Sequence, residues 1–89
     1  MNEEVAFELL KVSDLYSLPA LKNLCELFLA KSLTVVNAVK LTNLAQQYDA
    51  MKLKKNCLEF ISIHKKNFHE SDLVNLDKYS LIELFKLQP

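Results

Sequence analysis

The sequence predicts an all-α fold, an antiparallel helical bundle of stacked αα-hairpins with five or six helices. Three observations predict it. Apolar residues recur at helical spacing along nearly the whole of the 89 residues. Glycine is absent, and with it the Asn-Gly, Asp-Gly and Gly-rich turns that close tight β-hairpins. Leu, Lys, Glu and Ala, all good helix formers, are abundant.

In the first predicted helix Val5, Leu9, Val12 and Tyr16 fall at i, i+4, i+7 and i+11 and make an apolar face. Pro19 suits the first turn of a second helix, where its missing N–H would be unpaired anyway. Leu21, Leu24, Cys25 and Phe28 share one side of that helix. Thr34 is the expected N-cap of a third helix, its hydroxyl able to accept from a free backbone N–H. That helix carries Ala38, Leu41, Ala45 and Tyr48. A fourth is expected from about Ala50 to Lys66, with Leu53, Cys57, Phe60, Ile61 and His64 inward. Ser71 and Ser80 are the expected caps of two short helices, one with Leu73 and Leu76, the other with Leu81, Leu84 and Phe85.

Sliding the chain by 32 residues brings Leu9, Val12, Tyr16, Leu21, Lys22, Cys25, Phe28 and Leu29 onto Leu41, Leu44, Tyr48, Leu53, Lys54, Cys57, Phe60 and Ile61. Each copy is one helical hairpin with its turn after a Tyr. One such hairpin cannot bury its own apolar face, so the two are expected to stack. Phe7 and Leu10 lie outside the main stripe of the first helix, as do Leu27 and Leu29 in the second. That is more apolar surface than the second hairpin covers, and self-association through helices 1 and 2 is the expected result.

Composition excludes several functions. The absence of glycine argues against phosphate loops and dinucleotide fingerprints, whose backbone must approach phosphate closely. Lysine plus arginine number eleven and acidic residues eleven, so no charge footprint for nucleic acid or an anionic membrane is expected. No apolar run is long enough to span a bilayer, and the basic-then-apolar pattern of a signal peptide is not seen. The two cysteines are therefore read as thiols of an intracellular protein of cytoplasm or nucleus.

No chemistry is expected. Cys25 and Cys57 hold equivalent repeat positions on apolar faces, where a free cysteine acts as a small hydrophobe, and no further ligands at close spacing make a metal site. His64 and His69 lack a nucleophile or carboxylate at catalytic spacing, so neither an enzyme nor a cofactor is predicted. Lys52, Lys54, Lys55, Lys65 and Lys66 read as a solvated basic face without interleaved aromatics. Tyr16 and Tyr48 end the first helix of each hairpin, where a ring packs and a hydroxyl reaches solvent or a turn carbonyl. Val39 is expected in the core, and Val36 exposed for a partner.

The ordered pattern LL-x-x-SD-x-Y, LK-x-x-CE, LTV-x-NA, LA-x-x-Y-x-A-x-x-LK and FI runs from about Val5 to His64. It resembles the last helices of a BTB/POZ domain (here 1–33) joined to a BACK-like region (here 34–89), with the nearest likeness among speckle-type POZ adaptors. The resemblance implies a substrate adaptor of a cullin-3 ubiquitin ligase, a binding module in which another domain holds the substrate. It places Tyr16 and Leu18 near the cullin-facing edge, and Val36 and Lys40 beside a groove for the N-terminal segment of cullin-3. The earlier strands and helices of a BTB domain, its main dimer surface and its primary cullin loop are expected to be missing, which would weaken cullin-3 binding. No kelch, MATH or ankyrin unit is seen either. The alternative reading is a generic helical-repeat scaffold of the solenoid type, since the 32-residue offset is near helical-hairpin repeat lengths.

Overall fold

The computed structural model describes residues 1–86; the last three residues of the expected second region lie outside them. The described residues form six α-helices and no strand: α1 Glu3–Leu15, α2 Pro19–Lys31, α3 Ala38–Gln47, α4 Met51–Ile63, α5 Glu70–Leu73 and α6 Lys78–Lys86, with a 3₁₀ turn at Lys65–Asn67 between α4 and α5. The all-α expectation holds.

Local chemistry explains the boundaries. Asn2 caps α1 by accepting from the Val5 N–H at 2.8 Å, and Glu3 and Glu4 sit in its first turn, where the helix dipole favours acid. Pro19 opens α2 as its first residue. The helices α1 and α3 then end alike. Ser17 and Asp49 take left-handed φ of 52° and 55°. In each turn the N–H of the next residue reaches back past the turn, Leu18 to the Ser13 carbonyl and Ala50 to the Ala45 carbonyl, both at 2.8 Å. This is the Schellman stop, built here without glycine. The two turns are 32 residues apart, and α2 and α4, each 13 residues long, follow at the same offset. The stop and the second helix of each hairpin thus repeat at the sequence offset, while α1 is 13 residues long and α3 ten.

The expected caps of the later helices are corrected. Thr34 shares a reciprocal clasp with Asn37, each side chain accepting from the other's N–H at 2.8 and 3.2 Å, so it caps the turn that precedes α3. Helix α5 is entered at His69, whose N–H donates to the Asp72 carboxylate at 3.3 Å, and Ser71 is an exposed residue within it. Asp77 caps α6, accepting from the N–H groups of Tyr79 and Ser80 at 3.1 Å and from the Ser80 hydroxyl; Ser80 is itself buried inside the first turn. A carboxylate accepts better than a hydroxyl at a helix N-terminus because it also answers the dipole. Helix α4 stops at Ile63, short of Lys66. There the half-exposed His64 lies with its ring 4.4 Å from that of Phe60, off the inward stripe.

The interior has two apolar clusters. The first joins Ala6 and Leu10 of α1, Cys25 and Leu29 of α2, Leu41 and Ala45 of α3, and Ala50, Leu53 and Cys57 at α4, all fully buried. The second gathers Ala38, Leu58, Ile61, Phe68, Leu76 and Leu84 around α6. Leu33 packs against both. The cysteines are buried and free, as their positions predicted.

The inward face of α1 differs from the sequence reading. Val5, Val12 and Tyr16 are exposed, while Ala6, Leu10 and Ser13 are buried. The small side chains of Ala6 and Ser13 let this face approach its neighbours closely, and the Ser13 hydroxyl is satisfied by the Leu10 carbonyl at 2.8 Å. Leu10 and Leu29, expected to be surplus, are core residues. The apolar side chains that do reach water on α1 and α2 include Leu15, Leu24 and Leu27. At the far end, Phe85 is exposed too.

Candidate groove beside helix α3

A groove of about 840 Å³ runs between α3 and the segment from the 3₁₀ turn to α5. One wall is apolar with a cation at its edge: Val36, Val39, Lys40 and Leu44. The other is polar, with His69, Asp72 and Asn75. Val36 stands 94% exposed at the mouth because it belongs to the tight turn clasped by Thr34 and Asn37, which turns it off the core. Val39 is half buried and packs on the second cluster. The Lys40 ammonium lies 4.9 Å from the centre of the Phe7 ring, so α1 fixes the cation at the groove edge.

The four residues expected to meet a partner fall into two places. Val36 and Lys40 share the groove. Tyr16 and Leu18 lie at the α1–α2 turn, nine residues along α1 from the Phe7 that Lys40 covers, or about 14 Å at 1.5 Å per residue. Tyr16 is 67% exposed instead of packed, whereas Tyr48 packs on the first cluster. The two tyrosines precede the same kind of stop, so the backbone turn does not set their difference in burial.

Three polar residues that sequence reasoning missed, or placed wrongly, tie the helices together, and of these Asn43 lines the groove. Asn43 donates its amide N–H to the Asn75 carbonyl and accepts from the Asp77 N–H, both at 2.9 Å, pinning the α5–α6 link to α3. Lys54, expected on a solvated face, is 3% exposed; its ammonium donates to Gln46 of α3 and pairs with Glu83 of α6 at 3.1 Å. Glu26 of α2 is buried and accepts from the Lys52 backbone N–H at the start of α4. Burial pushes its carboxyl above the usual range, against the pull of Lys22 and Lys52. A mid-helix Asn has low helix propensity, and that was the one signal for Asn43.

Among the described residues no group of three or more His, Cys, Asp or Glu is placed to hold a metal ion. No described helix is long and apolar enough to cross a membrane. Burial raises the Cys25 thiol pKa and pushes that of Cys57 up to about 11, away from the range of reactive thiolates.

Comparison with known proteins gives short local matches. Over 54 residues the chain is 44% identical to the BTB/POZ and MATH domain-containing protein 3 of Arabidopsis thaliana, a stretch covering 61% of this chain and 13% of that protein. The likeness is local and BTB-related. It is 36% identical over 63 residues to the human inhibitor of Bruton tyrosine kinase, covering 71% of this chain and 5% of that protein. It is 33% identical over 64 residues to the Arabidopsis thaliana ARM repeat protein interacting with ABF2, covering 72% of this chain and 9% of that protein. The chain therefore spans a small part of these relatives. No family model and no solved structure matches it.

Proposed function

We propose that this chain is a protein-interaction module, a BTB-derived hairpin joined to BACK-like helices, acting within a substrate adaptor for a cullin-3 ubiquitin ligase. The observation that carries the reading is the groove beside α3. It offers one apolar wall with an exposed Val36 and a fixed Lys40, facing a polar wall, and so suits an extended peptide with apolar anchors. The local likeness to a BTB/POZ and MATH protein supports it, as does the ordered motif series from Val5 to His64. Leu24 and Leu27 give α2 an apolar outer strip, and we propose that the chain also self-associates through α1 and α2.

Titrating the N-terminal region of cullin-3 onto the purified chain tests the reading, with sedimentation in parallel to follow self-association. Weak saturable binding is expected, lowered at least about tenfold by Val36→Asp, which places a charge on the apolar wall. Absence of binding, or equal binding by Val36→Asp, would remove the cullin-3 assignment. A monomer whose sedimentation Leu24→Ser and Leu27→Ser leave unchanged would remove the self-association.

A further inference from the structure

The groove's two walls differ in how they are supported. One is α3, ten residues long and rooted in both apolar clusters. The other is a three-residue 3₁₀ turn and a four-residue helix, elements too short to hold their shape unaided. Its side chains Asp72, Val74 and Asn75 are exposed, and between them the half-buried Leu73 packs on the second cluster. Phe68 and Leu76 are its buried anchors, one at each end.

We infer that Asn43 is the positioning residue of this groove, its single side-chain amide setting where the second wall stands. The amide grips the two backbone groups that flank residue 76, the Asn75 carbonyl and the Asp77 N–H. That two-point grip copies the pairing one peptide strand makes with another, and it seats Leu76 in the second cluster. The hold then passes outward in both directions. Asn75 donates its own amide to the Ser71 carbonyl at 3.2 Å, tying the grip back to α5. Asp77, fixed by its N–H, caps α6. A change at Asn43 therefore moves or frees the wall that carries His69, Asp72 and Asn75, without touching Val36, Val39 or Lys40 on the other side. The inference rests on reading the groove as a partner site.

Two variants test it in the full chain. Asn43→Ala removes both bonds. Asn43→Asp keeps an acceptor for the Asp77 N–H but sets a carboxylate oxygen against the Asn75 carbonyl. The first readout needs no partner: amide hydrogen exchange, residue by residue. Exchange at Leu76 and Asp77 should accelerate at least about tenfold in Asn43→Ala, as expected for two lost bonds, and less in Asn43→Asp. The amides of Leu29 and Leu41, in the first cluster, should keep their native protection. The second readout is affinity for the N-terminal segment of cullin-3, which should fall in the same order. Unchanged exchange at Asp77, or equal acceleration across all helices, would overturn the inference. If the native chain fails to bind the segment, the cullin-3 assignment falls, while the exchange data still decide the role of Asn43.

Discussion

Removing either partner of the Lys54–Glu83 pair should have unequal effects. Lys54 is 3% exposed and Glu83 48% exposed, with 3.1 Å between ammonium and carboxylate. At an effective dielectric near 20 their attraction is about 5 kcal/mol before desolvation is subtracted. Most of that is offset by taking the ammonium out of water, a cost carried by Lys54 and hardly by the half-exposed Glu83. Glu83→Ala leaves a buried cation with Gln46 as its remaining acceptor. The expected loss is on the order of 2 kcal/mol, the range for an orphaned buried charge discounted for the exposure of Glu83. In a domain this small that lowers Tm by roughly 8–16 °C. Lys54→Met keeps the length of the stem, removes the buried charge and returns Glu83 to water. Its stability should stay within about 0.5 kcal/mol of the native chain. Urea denaturation of both variants and of the double variant gives the comparison, and the double variant should match Lys54→Met. If Lys54→Met loses as much as Glu83→Ala, the pair is a net source of stability and the reasoning fails.

Two further outcomes follow from buried groups. The raised carboxyl of Glu26 binds its proton more tightly in the folded chain than in the unfolded one. Its stabilising contribution is therefore full below the unfolded value of about 4.3 and is lost as pH rises through the higher folded value. Glu26→Gln should flatten the pH dependence of stability above pH ~4 and be no less stable than the native chain at pH ~7; a marked loss at neutral pH in urea titrations would contradict this. Cys57 is fully buried, so Cys57→Ser should cost about 1–3 kcal/mol more than Ser62→Ala, and equal denaturant midpoints would show otherwise.

The helices were legible because their signals are local: apolar recurrence, Pro19 at the first turn of α2, and the tyrosines before two matching stops. The face of α1 was not. Val5, Leu9, Val12 and Tyr16 make a regular apolar stripe, but the close contact is made by Ala6, Leu10 and Ser13, next to it on the helix. Periodicity counts apolar residues and is blind to the advantage of small ones where helices cross. Lys54 was misplaced for a related reason. A lysine among lysines reads as solvated until Gln46 and Glu83, eight and 29 positions away, supply its partners. Of the groove, the α3 wall was visible in Val36 and Lys40. The opposite wall depends on bonds from Asn43 to residues more than 30 positions away, which no local pattern encodes.

The division of the interior into two clusters sharing α3 and α4 gives the molecule an order of assembly. The hairpin turns at Ser17 and Asp49 need only neighbouring residues, so both hairpins can form early and at small cost in chain entropy. The second cluster cannot precede them, because Ala38, Leu58 and Ile61 present its surface only once α3 and α4 are paired. The α6 region is thus a dependent cooperative unit: it opens without the rest, while the reverse is barred. The polar wall of the groove belongs to that unit. The groove is then assembled last and released first, and any molecule bound there would stabilise the part of the chain that opens most readily.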